Sequence, residues 1–200
     1  MDCRFKRKEN ILIMVVIGIT GTLGAGKGTI VDYLKTNYGF SHYSVRDFLI
    51  QEINKRGLKV DRDSMTIVAN DLRLNNSPSY ITDQLYLQAI EKNNNCIIES
   101  IRTPGEIISL QNKTSFYLFA VDANPKVRYK RITIRKSDTD SIDYSTFLAN
   151  EAREMNTTDP NKQNLSKCIE MADFVFNNDG DIDNLNDNIK EVLTKIMNNE

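Results

Sequence analysis

Apolar residues in this chain fall in short continuous runs separated by amphipathic stretches, and the two patterns predict different elements. Four runs read as buried strands: residues 12–19, 96–100 (Cys-Ile-Ile-Glu-Ser), 115–121 (Ser-Phe-Tyr-Leu-Phe-Ala-Val) and 173–177 (Asp-Phe-Val-Phe-Asn), with a weaker one at 41–45. Between them lie segments with helical spacing, such as Ile30-Val31-Asp32-Tyr33-Leu34 and Met65-Thr66-Ile67-Val68-Ala69-Asn70-Asp71-Leu72-Arg73. Strands that are apolar throughout, alternating with helices, predict an α/β fold with a parallel sheet covered on both faces. Helix starts are well marked. Ser77-Pro78, Thr103-Pro104 and Asn124-Pro125 each put a capping residue before a proline at the first helical position, and Thr103 with Glu106 has capping-box spacing. No repeat and no linker divides the chain, so residues 11–200 read as one domain behind a basic extension at 1–10.

Chemistry enters directly after the first strand. Residues 18–29 read Gly-Ile-Thr-Gly-Thr-Leu-Gly-Ala-Gly-Lys-Gly-Thr, preceded by an apolar run and followed by a helical pattern. Strand, glycine-rich turn and helix form the context of a phosphate-binding loop, in which backbone N–H groups and the positive helix end converge on one concavity. Gly21, Thr22, Gly24, Ala25, Gly26, Lys27, Gly28 and Thr29 are the candidate nucleotide-binding residues, with the Lys27 ammonium reaching the outer phosphates. The position after the lysine, where a hydroxyl usually ligates Mg²⁺, is Gly28, and the hydroxyl follows one later at Thr29. That departure, with no Asn-Lys-x-Asp guanine-reading motif in the chain, points to a small-molecule kinase rather than a switch GTPase.

Composition narrows the partners. Apolar residues make up 40% and charged residues 26% of the 200, the proportions of a globular domain. With 26 basic against 27 acidic residues, a general nucleic-acid binder is not expected. Cys3, Cys96 and Cys168 are far apart and lack metal-ligand spacing, so they read as free thiols of a reducing compartment and predict a cytoplasmic protein. The single histidine, His42, reads as a partly buried side chain near a strand. The apolar run before the loop, about nine residues long, is too short to span a bilayer, and the basic tail lacks a small-residue cleavage site. No membrane partner is expected. Whether the protein is a monomer or a homo-oligomer stays open.

In an open parallel sheet, ligands bind beyond the carboxyl ends of the strands. After the second strand come Arg46, suited to grip an acceptor phosphate, and Asp47, suited to touch acceptor hydroxyls or metal-bound water or simply to favour a helix's first turn. After the third come Glu99, which can order Mg²⁺ through water, and Arg102, which can bridge donor and acceptor phosphates; an ion pair between these two is the plainer alternative. Arg128, Arg131 and Arg135 share a helix face at i, i+3, i+7, which is either a solvated stripe or a lid that neutralises a phosphoryl group in transfer. Arg153 on the next helix either returns to that site or pairs on the surface with Glu154 or Asp159. Residues 46–95 suit an acceptor-binding set of helices with Arg73 projecting from one end, and 128–158 suit a lid.

Taken together, Gly-x-x-Gly-x-Gly-Lys-Gly-Thr, the Asp47 helix, Glu99-Ser100-Ile101-Arg102, the arginine-bearing helix and Ala172-Asp173-Phe174-Val175-Phe176-Asn177-Asn178-Asp179-Gly180 resemble the nucleoside monophosphate kinase superfamily over about residues 12–197. Within it, the chain is most similar to an adenylate-kinase-related group also labelled AAA-type ATPase or dephospho-CoA-kinase-like, where Asp-Gly-Ile-Arg stands in place of Glu99-Ser100-Ile101-Arg102. The resemblance implies a three-layer α/β/α sandwich of the P-loop NTPase class, with a five-stranded parallel sheet in the order 2-3-1-4-5. It also implies ATP as donor with Mg²⁺, a small nucleotide as acceptor, and Asn178 in a loop that passes near the adenine. Lys27, Arg102, Arg131, Arg135 and Asp47 would carry catalysis by positioning and charge neutralisation. Arg46, Asp47, Arg73, Glu99, Arg102 and Arg153 would hold the acceptor, with Glu99 and Thr29 near the metal. Where classical adenylate kinases have Gly-Asp-x-x-Arg, this chain has Arg46 before Asp47 and Ile50 at the later arginine. Three acceptor readings follow: a (deoxy)nucleoside monophosphate, the ribose hydroxyl of a dephospho-CoA-like molecule, or none, in a regulatory or assembly ATPase.

Overall fold

A computed structural model describes residues 14–135 and 142–198; the basic extension at 1–10 and residues 136–141 of the segment expected to form a lid lie outside the described residues. Five strands, β1 (Val15–Gly21), β2 (Ser41–Ser44), β3 (Cys96–Glu99), β4 (Ser115–Asp122) and β5 (Phe174–Asn177), form one parallel sheet in the order β2-β3-β1-β4-β5. The order is the expected one. The register Ile19↔Glu99, Ser44↔Glu99, Gly21↔Val121 and Asp122↔Asn177 aligns the carboxyl ends, so the loops after the strands share one edge.

Alternation along β1 explains why its whole length is apolar. Val16 faces one core, with Ile98 and Leu118, and Ile17 and Ile19 face the other, with Ile97 and Phe119. On the second face lie α1 (Lys27–Tyr38) and α9 (Ile182–Asn198), whose Leu185, Ile189, Leu193 and Ile196 recur at helical spacing and are buried. The first face is covered by α2 (Val45–Lys55), α3 (Arg62–Asn75), α4 (Tyr80–Lys92), α5 (Pro104–Gln111) and the short α8 (Leu165–Glu170). The helices α6 (Pro125–Arg135) and α7 (Tyr144–Met155) pack on each other through Tyr129, Tyr144 and Phe147.

The helix starts at Thr103 and Asn124 are as expected. Thr103 Oγ1 accepts from Glu106 N while the Glu106 carboxylate accepts from Thr103 N, and Asn124 Oδ1 accepts from Lys126 N. Ser77-Pro78 is a correction: α4 begins two residues later, at Tyr80. The Pro78 carbonyl accepts from Thr103 Oγ1, which ties that turn to the start of α5 and leaves it outside the helix.

Candidate active site

The loop after β1 is shaped by close approaches that only glycine permits. Gly21 has φ +142°, and a Cβ there would overlap the Val121 carbonyl oxygen. Gly26 has φ +110°, and its Cβ would overlap Nδ2 of Asn178. Gly26 also occupies the N-cap of α1 without any side-chain cap, which leaves the first N–H groups of the helix for a ligand. Gly28 differs, for a Cβ there meets nothing within 4 Å. Thr22 and Asn178 hold the loop from behind: Thr22 Oγ1 donates to Asp122 Oδ1 at 2.5 Å, and Asn178 Nδ2 donates to Ala25 O at 2.7 Å.

In front of the loop opens a cavity of about 690 Å³. Gly24, Gly26, Lys27, Gly28 and Thr29 line its donor side, whereas Gly21, Thr22, Ala25 and Asn178 do not reach it. Asn178, expected near the adenine, is 4% exposed and acts as a brace on the loop. Lys27 folds back, its Nζ donating to Gly21 O at 2.8 Å and Thr22 O at 2.9 Å. Burial and the neighbouring Arg102 charge lower its pKa to about 7, against the opposing pull of Glu99 and Glu154.

Arginines converge on this cavity from separate elements. Arg46 comes from α2, Arg62 and Arg73 from α3, Arg102 from the turn after β3, and Arg131 and Arg135 from α6. Among the described residues, Asp32, Glu99 and Glu154 are the only carboxylates lining it. Arg73 does not project from its helix end. It is 1% exposed, with Nε and Nη2 donating to Glu106 Oε1 at 3.3 and 2.9 Å. The other oxygen of Glu106 accepts from Arg102 N at 2.7 Å and Thr103 N at 3.0 Å, so one carboxylate fixes both arginines' positions. Arg73 Nη1 and Arg131 Nη1 are buried and have no hydrogen-bond partner among the described residues.

Three expected members lie elsewhere. Arg128 is 2% exposed, pairs with Glu151, donates to Ala123 O at 2.6 Å and Leu23 O at 3.3 Å, and lies 5.4 Å from the Phe147 ring centre. It fastens α6 and α7 to the phosphate loop rather than facing a ligand. Asp47 is exposed at the start of α2, where its N–H is capped by Ser44 Oγ at 3.1 Å, and it does not line the cavity. Arg153 is exposed and reaches Asp63 at 3.5 Å, a surface pair with a partner other than the two expected.

Glu99 and Arg102 do not pair with each other. Glu99 Oε2 lies 3.2 Å from His42 Nε2, and Arg102 Nη1 donates to Glu154 Oε2 at 3.0 Å. Burial pushes the Glu99 carboxyl up, but the His42 hydrogen bond and the Lys27, His42 and Arg102 charges together hold it below the usual range, and so ionised. Ser100, beside it, sits at φ +73°, a left-handed position that favours glycine. Sequence reasoning missed the His42 contact, Arg62, Glu154 and Gln163, whose Oε1 is buried in the cavity wall without a partner among the described residues. A signal for Glu154 existed: it lies seven residues after the buried Phe147, on the same helix face.

Among the described residues no helix is long and apolar enough to cross a membrane. A family model described as an AAA domain matches residues 17–159. A UPF0200 protein of Methanococcus vannielii is 29% identical over 189 residues, covering 93% of this chain and 98% of the relative, and one of Methanocaldococcus jannaschii is 27% identical over 189 residues, covering 93% and 92%. Among solved structures, shikimate kinase from Bacteroides thetaiotaomicron superposes with a TM-score of 0.56 at 15% identity, covering 90% of this chain and 99% of that one. A gluconokinase from Sinorhizobium meliloti gives 0.57 at 11%, covering 94% and 95%. With residues 17–159, most of its length, matched by that model, the chain belongs to the AAA domain family, and its sheet order is that of the P-loop kinase fold.

Proposed function

We propose that this protein transfers the γ-phosphoryl group of ATP to a small acceptor that itself carries a phosphate, with a (deoxy)nucleoside monophosphate as the class that suits the site best. One observation carries the reading. The buried Nη1 groups of Arg73 and Arg131, one on α3 and one on α6, lack partners among the described residues in a cavity where arginines outnumber carboxylates. Buried cationic donors left unpaired are costly, and a ligand with phosphate at both ends supplies acceptors to each.

In this reading Lys27 and the N-terminus of α1 hold the donor phosphates, and Arg131 and Arg135 neutralise charge on the group in transfer. Arg102 bridges donor and acceptor, while Arg46, Arg62 and Arg73 complete the seat of the acceptor phosphate. Bound Mg²⁺ would neutralise the outer donor oxygens. Thr29 and Glu99, which both line the cavity, would hold that ion through its water shell. Catalysis is then positioning and electrostatics; a phosphate acceptor is already ionised at neutral pH and needs no base.

One feature favours a second reading, a hydroxyl acceptor of the dephospho-CoA type. Glu99 is ionised, held by His42 and open to the cavity, as a general base for a hydroxyl must be. An ADP-release assay with Mg·ATP against ribo- and deoxynucleoside monophosphates and dephospho-CoA separates the two. Turnover with a monophosphate, lowered but not abolished by Glu99→Gln, is the expected result. Turnover with dephospho-CoA alone, abolished by Glu99→Gln, would replace the leading reading with the second. ADP release that no acceptor stimulates would favour a regulatory ATPase.

A further inference from the structure

Glu154 is a carboxylate in a place built for an anion. Its Oε2 accepts from Arg102 Nη1 at 3.0 Å and its Oε1 from Arg62 Nη2 at 3.4 Å, and the residue is 8% exposed. Each oxygen serves a different guanidinium, the arrangement in which two arginines grip a phosphate monoester. The three residues come from different parts of the fold: Arg62 opens α3, Arg102 follows β3, and Glu154 lies in the last turn of α7. All three line the cavity shared with Lys27. Just outside it, Arg153 and Asp63 repeat the contact between α7 and α3, but that pair is exposed and holds little.

We infer that Glu154 occupies the seat of the acceptor's phosphate and is displaced from it when the acceptor binds. The inference rests on the reading of a phosphate-bearing acceptor. While the cavity is empty, two partly buried guanidiniums need a counter-charge, and Glu154 supplies it. An incoming phosphate dianion satisfies the same donors with more charge and more acceptor oxygens. The two anions cannot share the seat, because like charges a few ångströms apart in a poorly solvated site repel strongly. Acceptor binding is therefore an exchange of anions that frees the last turn of α7 from α3.

Selectivity follows from the exchange. An acceptor without a phosphate dianion leaves Glu154 in place, so Glu154 discriminates against neutral or singly charged acceptors before any chemistry occurs. Glu154 is also among the negative charges that sustain the Lys27 ammonium, and the phosphate that replaces it restores that support.

The test titrates inorganic phosphate into the full chain and into its Glu154→Gln and Glu154→Asp variants by calorimetry. Removing the resident competitor should tighten phosphate binding about tenfold in Glu154→Gln and by less in Glu154→Asp, whose carboxylate is one methylene short. Adding Arg102→Ala to Glu154→Gln should erase the gain, which separates this seat from the phosphate loop. In the unaltered protein, saturating phosphate should speed amide exchange over the last turn of α7. Unchanged or weaker phosphate binding in both variants, a gain that survives Arg102→Ala, or a last turn of α7 that phosphate leaves equally protected would each overturn the inference. Should monophosphate turnover be found without the gain, the inference falls and the proposed function stands. A gain without turnover on any acceptor would leave the anion exchange standing and remove the proposed function.

Discussion

The two sides of the cavity are built in opposite ways. On the phosphate-loop side, the binding groups are contiguous in sequence, running from the end of β1 into the first turn of α1, and their geometry is imposed by backbone contacts such as that of Gly21 with Val121. On the side proposed for the acceptor, Arg46, Arg73 and Arg102 come from three elements, and Arg73 and Arg102 are set by side-chain partners, above all Glu106. A local site tolerates change around it but not within it. A site assembled from distant elements depends on buried charges that no ligand touches.

The largest contrast comes from removing one charge on each side. Lys27→Ala should lower kcat/KM by about 10³-fold or more with the fold intact, because the hydrogen bonds of Nζ among the described residues go to loop carbonyls; turnover beside a circular-dichroism melt would show it. Glu106→Gln should act on stability instead. It leaves the fully buried Arg73 without a counter-charge, and urea unfolding should register a loss of about 3–5 kcal/mol. A loss below about 1 kcal/mol would mean that the acceptor side does not depend on this pair.

Next in size is a contrast within the donor loop. Gly21→Ala meets a carbonyl oxygen at a positive φ and should destabilise by roughly 3 kcal/mol, whereas Gly28→Ala enters open space at the exposed start of α1 and should be neutral or stabilising by up to about 1 kcal/mol. Equal losses at both positions would break the view that backbone contacts shape this loop.

The smallest effect concerns pH. Free Lys27 loses its proton near 7, while a bound polyphosphate favours the ammonium and moves the pKa back toward 10.5. Between those values binding takes up a proton, so nucleotide affinity should be flat below pH 7 and fall above it, approaching tenfold per pH unit. Calorimetry in buffers of different ionisation enthalpy should detect the uptake. Constant affinity from pH 7 to 9 would place the amine outside the phosphate site.

The same division governs what could be read from the sequence. The five strands and the Thr103–Glu106 cap follow from apolar runs and local spacing, which act over a few residues, whereas the order of the sheet follows only from the resemblance to nucleoside monophosphate kinases. The capping box was visible, but not that its glutamate also anchors Arg73 and the Arg102 backbone, because that depends on how α3 packs against α5. Arg128 and Arg131 look alike in sequence; the first is withdrawn by Glu151 and the Leu23 carbonyl, contacts more than twenty residues away. His42 meets Glu99 only because β2 and β3 pair in register. Charged side chains were easy to find, and their partners were not, since pairing across elements leaves no periodic trace.

The most direct test of phosphoryl transfer to a phosphate is ³¹P NMR of the reaction of Mg·ATP with the nucleoside monophosphate that turns over fastest. The account predicts two nucleoside diphosphates for each ATP consumed, ADP and the phosphorylated acceptor, each with its phosphoanhydride pair of doublets, while the acceptor's monophosphate signal falls at the rate ATP disappears. A single diphosphate per ATP, with either a new phosphate-ester signal on an acceptor hydroxyl or inorganic phosphate beside it, would contradict it.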